Sequence, residues 1–362
     1  MSLLNDKNLA ILFNKNPFSF SEKEKEKMFM DEIVSLTKYH EEGCQEYRNI
    51  LKSYDFKPSN VESIFDIPFI HVRLFKEYYL KSINTVQGTK ILSSSGTTNQ
   101  KRSMIFLDKV TAKLQTLVLA KIINSVIGKS RMPMIIIDTE AVIKNRKSFS
   151  ARGAGINGFS IFGRQKLFVL DEQMKLRKND LLNFINEIGK VPILIFGFTY
   201  IIWEYFLSEL EREKVNLDLS RAFLFHGGGW KRLLDKKLTN FHFSQKLKET
   251  CNIEKIHNYY GMAEQTGSIF LECEEGFMHC SVFSEIIIRN KKDLSVCSVG
   301  EKGIIQVMSL IPRSYPGHSI ITEDEGELKG LSGCKCGRKG RFFKIYGRLE
   351  DVELRGCSDT YE

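Results

Sequence analysis

The stretch Tyr259-Tyr260-Gly261-Met262-Ala263-Glu264-Gln265-Thr266-Gly267 lies close to where the texture of the chain changes. Before it, apolar runs of strand length alternate with segments of helical spacing. Residues 104–107, 134–137, 191–196 and 222–225 read as strands; 108–127, 179–188 and 200–214 read as helices. Beyond Cys251 the strands come short and close together, at 268–271, 285–289, 303–310 and 342–345. Alternation followed by a strand-rich part predicts an α/β body with a β-rich lobe. Further out, Ser21 and Glu24 form a capping box before Met28, Phe29, Ile33 and Leu36, with Gly43 as the stop. Residues 67–75 read as extended chain before a short helix. Residues 144–163, rich in Gly, Ser, Lys and Arg, read as a long functional loop.

Four motifs have chemistry in them. Glu264, just beyond the Tyr260–Gly261 turn, is the kind of oxygen ligand that Mg²⁺ takes; an ordinary strand end looks the same. Ser93-Ser94-Ser95-Gly96-Thr97-Thr98-Asn99-Gln100-Lys101 offers free backbone N–H groups, hydroxyls and a lysine to an anion. Its spacing is not that of GxxxxGK[ST], and a solvated Ser/Thr turn is the plain alternative. In the third motif, 321–327, Asp324 sits in an acidic turn where it can accept two sugar hydroxyls. In the fourth, 347–356, Arg348 lies in a charged strand. His226 is singled out because it abuts Gly227-Gly228-Gly229, where it can touch a substrate carboxylate or a nucleotide; a structural role is the alternative.

Taken in chain order, 93–101, 259–267, 321–327 and 347–356, the four motifs resemble the adenylate-forming superfamily of acyl-CoA synthetases, luciferases and adenylation domains. The segments 67–76, 226–231 and 260–270 narrow this to the acyl-protein synthetases of bacterial bioluminescence, the LuxE family, with phenylacetate–CoA ligases as the next relatives. The resemblance runs from about Ile67 to Cys357. It implies an adenylate-forming catalytic domain over 1–345, with a β-rich sub-lobe at about 268–345. A hinge-like motif and short tail would follow over 346–362, in place of the mobile C-terminal domain of typical members. It also implies ATP and Mg²⁺: a carboxylic acid, in this family a fatty acid, attacks the α-phosphate, and a thiol then takes the acyl group. By carry-over Ser94, Ser95, Gly96, Thr97, Thr98 and Lys101 hold phosphates. Gly227, Gly228, Gly229, Tyr260 and Gly261 surround adenine, Glu264 holds Mg²⁺, and Asp324 and Arg348 take the ribose hydroxyls.

Three departures stand out. Ala263 replaces the usual Thr or Ser before Glu264, and Asn99 replaces a common Gly. Only six residues follow Gly356, so the catalytic lysine of the mobile domain has no counterpart, and Lys231 is the candidate substitute. In the family a cysteine near the C-terminus carries the acyl group; Cys357 corresponds to it, with Arg355 near enough to favour the thiolate. The implied partner is an acyl reductase. An external-thiol ligase acting on CoA or an acyl carrier protein shares the first half-reaction, and a nucleotide-binding regulator without catalysis is the third reading.

Cys273 with His279, and Cys334 with Cys336, form two pairs of soft ligands in the strand-rich part. They predict a structural zinc site, with Cys280 as a substitute ligand and scattered thiols as the alternative. Cys44, Cys251 and Cys297 read as small buried apolar residues; His40, His242 and His257 read as structural.

The 362 residues are 42% hydrophobic and 27% charged, which excludes disordered and low-complexity classes. A net charge of +9 suits an anionic small ligand, and there is no basic block to indicate nucleic acid. The longest apolar run, 191–207, contains Glu204 and is too short and mixed to span a bilayer. The N-terminus lacks the pattern of a secretory leader, so the protein is expected in the cytoplasm with its eight cysteines reduced or metal-bound.

Overall fold

The computed structural model describes residues 7–84, 89–93, 103–144, 150–229 and 239–349. Among these the chain divides into two compact units: residues 127–260 form one, and residues up to 126 together with 261–349 form the other.

The continuous unit is built on five parallel strands. Numbered in chain order, they are Met132–Thr139, Gly163–Leu170, Ile193–Phe198, Ala222–Gly227 and Lys255–Tyr260, and they lie side by side in the order 2-1-3-4-5. Every residue of Met132–Thr139 and Ile193–Phe198 is buried, which explains why these strands read as unbroken apolar runs. The strand order reverses between these two, and doubly wound sheets hold ligands at the carboxyl ends of the strands at such a point. The helices Ala151–Ser160, Lys178–Ile188 and Asn240–Cys251 belong to the crossovers.

One expectation is corrected in this unit. Residues 151–160 of the expected 144–163 loop form a helix, capped by Ser150, whose Oγ accepts the Gly153 N–H at 3.0 Å. The glycines that weaken its helix propensity allow close packing: a Cβ on Gly155 would stand 3.3 Å from the Phe198 ring. The helix expected over 200–214 forms over 199–212, with a π-helical stretch, Ile202–Leu207, between the α-helical segments Thr199–Ile201 and Ser208–Arg212. Such insertions recur beside functional sites.

In the other unit, antiparallel strands run in the order Ser284–Arg289, Lys302–Ser309, Ser319–Gly330, Phe342–Arg348, Met278–His279 and Phe270–Glu272. Ile70–His71 joins Ser319–Gly330 in parallel, opposite Ile320 and Ile321. The helix Glu22–Gly43 starts on the expected box: Ser21 N–H donates to Glu24 at 2.9 Å, and the Ser21 hydroxyl accepts in return. It buries Phe29, Ile33 and Leu36. Lys109–Ile127 begins at Asp108, whose carboxylate accepts the Thr111 N–H at 2.7 Å. By length and composition alone this helix is long and apolar enough to cross a membrane. Leu114, Val118, Ile122 and Ile123 on it are buried, the packing of a core helix.

His318, which no motif marked, is fully buried and stacks on His40 with ring centroids 4.8 Å apart. His40 reaches the Ser82 hydroxyl at 2.7 Å and the Pro312 carbonyl at 3.0 Å; His318 reaches the Thr37 and Tyr47 hydroxyls. Burial pushes His40 down to about 3, His226 in the other unit also to about 3, and His318 well below its ordinary value. Unfolded histidine takes up its proton near 6.5, so below that pH the unfolded chain binds more protons. The stabilisation is therefore complete above about pH 6.5 and falls as the pH drops towards 3. One pH unit below 6.5 the loss is about 1.4 kcal/mol per histidine. Denaturant titrations at pH 7.5 and 5.5 read it, and equal stabilities at the two pH values would contradict it.

Candidate active site

The residues expected to meet the nucleotide fall in both units. In the continuous unit, the strand Ala222–Gly227 delivers His226 and Gly227 at its carboxyl end. The Thr199 hydroxyl, at the end of the neighbouring strand, lies 2.9 Å from His226 Nδ1 and 3.1 Å from the carbonyl oxygens of both Gly227 and Gly228. A hydroxyl has one proton. When Thr199 donates it to a carbonyl, His226 must carry its proton on Nδ1, which leaves Nε2 with a free electron pair. Gly227 has to be glycine, because a Cβ there would come 2.6 Å from the Tyr259 ring. Gly228 turns the chain at φ +87°, and both Gly228 and Gly229 are exposed.

Tyr259 and Tyr260 are consecutive in the strand Lys255–Tyr260 and so face opposite sides of the sheet. Tyr259 belongs to an aromatic cluster with Phe159 and Phe196, whose rings stack at 4.3 Å. The ring lying against Gly227 is thus that of Tyr259, to which the resemblance gives no role, and Tyr260 is half-buried.

In the other unit, Glu264 sits in a single 3₁₀ turn, Ala263–Gln265. Its neighbours hold that turn tightly. Gln265 donates to the Gly317 carbonyl at 2.9 Å and the Val307 carbonyl at 3.2 Å, and the Thr266 hydroxyl donates to the Ala263 carbonyl at 2.8 Å. Gly267, at φ +87°, passes so close to Gln115 that a Cβ would stand 2.6 Å from its backbone. Glu264 itself is buried, and burial raises its carboxyl above the ordinary value; Ser103, Lys76 and Arg348 act in the opposite sense. A buried carboxylate among hydroxyl and cationic groups suits a divalent cation and its anionic ligand.

Asp324 and Arg348 face each other across adjacent strands. The expected acidic turn at 321–327 is instead the middle of the strand Ser319–Gly330, a correction that gives Asp324 a fixed cross-strand neighbour. The Thr322 hydroxyl accepts the Asp324 N–H at 3.1 Å and donates to the Ile305 carbonyl at 2.7 Å. Glu323 forms ion pairs with Arg73 and, at 3.7 Å, with Arg348. Glu323 and Arg73 were not singled out from the sequence. Their pairing spans 250 positions, and no local pattern announces it.

The sequence-predicted zinc ligands also come together. The donor atoms of Cys273, His279, Cys334 and Cys336 all lie within 4.8 Å of one another. Cys280 is not among them. Cys44 and Cys251 are buried as expected, whereas Cys297 is only half-buried. The remaining candidates, Ser94, Ser95, Gly96, Thr97, Thr98, Lys101, Lys231 and Cys357, lie outside the described residues.

The family model for the acyl-protein synthetase LuxE matches residues 3–362. The chain belongs to the LuxE family. It is similar to the long-chain-fatty-acid–luciferin-component ligase of Aliivibrio fischeri, 23% identical over 363 residues, which are 96% of this chain and 91% of that protein. The corresponding ligase of Vibrio harveyi is 26% identical over 183 residues, so that match spans 49% of this chain and 46% of that protein. Among solved structures, 2-hydroxyisobutyryl-CoA ligase in its postadenylation state aligns with a TM-score of 0.71 at 14% identity, over 94% of this chain and 73% of that one. The fold of this LuxE-family chain is therefore that of the adenylate-forming ligases, as expected.

Proposed function

We propose that the protein is an ATP-dependent acyl-protein synthetase. A carboxylate oxygen of the acid, by family a fatty acid, attacks the α-phosphorus of ATP. The bond to the β-phosphate breaks, pyrophosphate leaves, and an acyl-adenylate forms. The Cys357 thiolate then attacks the acyl carbonyl, AMP leaves, and a thioester remains for delivery to a partner such as an acyl reductase. Glu264 would hold Mg²⁺, which neutralises triphosphate charge when bound. Asp324 and Arg348 would take the ribose hydroxyls, Gly227 to Gly229 and Tyr260 would flank the adenine, and residues 94–101 would bind phosphates. His226 would meet the acid or the nucleotide, and Lys231 would supply positive charge near the reacting phosphate. In this chemistry the chain contributes alignment and charge neutralisation. The reading places the enzyme in the cytoplasm, and the cysteines described are unbridged in keeping with it.

The observation that carries this reading is Glu264, a buried carboxylate held rigidly beside Ser103 and within the field of Lys76 and Arg348. The test is pyrophosphate release from Mg-ATP with a panel of fatty, aryl and short hydroxy acids, followed by intact mass. One acid should drive release and add its acyl mass to the wild-type chain, and Cys357→Ser should lose that mass completely. Release without added mass would replace this reading with an external-thiol ligase. ATP binding without release under any acid would replace it with a regulator, for which Ala263 is the first residue to restore to Thr.

A further inference from the structure

We propose that Cys273, His279, Cys334 and Cys336 bind Zn²⁺ as a closed structural site, separate from the residues assigned to ATP. Zinc bonds to sulfur at about 2.3 Å and to nitrogen at about 2.0 Å, so a tetrahedron has edges of about 3.8 Å between sulfurs and about 3.5 Å between sulfur and nitrogen. The Cys273 and Cys334 sulfurs are 3.9 Å apart, and Cys336 Sγ is 3.3 Å from His279 Nε2. These are edges of a coordination shell and far beyond a disulfide bond. All four donors come from the protein, which is the composition of a structural rather than a catalytic zinc site.

The backbone around the donors is shaped alike on both sides. Cys273-Glu274-Glu275-Gly276 closes a turn with the Gly276 N–H donating to the Cys273 carbonyl at 2.9 Å, and Gly276 lies at φ +74°. Cys334-Lys335-Cys336-Gly337 does the same, with the Gly337 N–H donating to the Cys334 carbonyl at 3.1 Å and Gly337 at φ +80°. The Arg338 N–H points at Cys336 Sγ from 3.4 Å. Three thiolates and a neutral histidine around Zn²⁺ carry a net charge of −1. The Arg338 guanidinium, anchored on the Leu271 carbonyl at 3.1 Å, and the flanking Lys335 and Lys339 answer that charge.

The cluster has a mechanical role. It ties the connection at 331–341 to the strands Phe270–Glu272 and Met278–His279. That connection joins the strands holding Asp324 and Arg348. Zinc would hold the connection in place without touching substrate.

The experiment uses the full-length protein, purified with zinc present and dialysed against metal-free buffer. Metal analysis should find about one zinc per chain, released as the thiols are modified with a mercurial. Cobalt exchanged into the site should give the intense visible bands of a tetrahedral thiolate complex. Cys334→Ser should lose the metal and melt several degrees lower, while Cys297→Ser should keep it. If Cys334→Ser does not fold, the wild-type zinc content and cobalt spectrum decide alone. A metal-free chain after dialysis, an octahedral cobalt spectrum or an iron–sulfur chromophore would overturn the proposal.

Discussion

Glu264→Gln is expected to lower pyrophosphate release by about 10²–10³-fold, the scale of removing a preorganised charge from a reacting phosphate. The same substitution is expected to make the ligand-free protein more stable at neutral pH. The sign follows from burial. Burial raises the Glu264 carboxyl above its ordinary value, so the folded chain binds this proton more tightly than the unfolded chain. Above the ordinary carboxylate range the folded state must either keep the proton or bury a charge, and it loses stability as the pH rises through the raised value. Glutamine removes that burden. Mg-ATP does so differently, by giving the charge a partner, and should raise the wild-type melting temperature far more than that of Glu264→Gln. Thermal melts with and without Mg-ATP, beside a pyrophosphate assay, check both halves. A variant that is active, or one that is destabilised without ligand, would remove Glu264 from the metal role.

Arg152→Met should destabilise the protein by about 3–5 kcal/mol, the largest stability effect expected of a single change here. Arg152 and Asp138 are both wholly buried and paired through two contacts, one of them from Arg152 Nε to Asp138 Oδ2 at 2.7 Å. Asp138 is the last residue but one of the strand Met132–Thr139, at the point where the strand order reverses, and Arg152 is the second residue of the helix Ala151–Ser160. Burial still raises the Asp138 carboxyl despite the guanidinium beside it, so desolvation outweighs attraction. Deleting only the cation strands a carboxylate in apolar surroundings. Deleting both partners does not, and Asp138→Leu combined with Arg152→Met should recover most of the loss. Denaturant unfolding of the two single variants and the double variant makes a closed cycle. Additive losses would show that the two side chains act independently.

Features carried by neighbouring residues were legible in the sequence. The Ser21–Glu24 box and the Asp108 cap are local hydrogen-bond patterns, and both form. The buried strands were readable because a parallel strand covered on both faces must be apolar throughout. The Cys273, His279, Cys334 and Cys336 cluster was readable because soft donors are few and come in pairs, although only the fold brings the pairs within 4.8 Å. What failed was either glycine-rich or long-range. Residues 151–160 looked like a loop because glycine is a poor helix former, yet Ile156 and Phe159 bury enough surface to hold the helix. Thr322 to Glu327 looked like a turn because their charges hid the alternation of a strand shared between two neighbours. Arg152 with Asp138, Arg73 with Glu323, and His40 with His318 were beyond reading because each partner looks ordinary alone.

The stretch 127–260 is uninterrupted, whereas the unit around it is assembled from chain on both sides. Synthesis therefore runs in an order that the architecture does not follow. The inserted part has all five of its strands once residue 260 has been made. The first part cannot finish: Ile70 and His71 wait for Ile320 and Ile321, and His40 waits for His318. At 5–20 residues per second that is a delay of about 10–50 s. Through it, Phe29, Ile33 and Leu36 lack the surroundings that bury them in the finished protein.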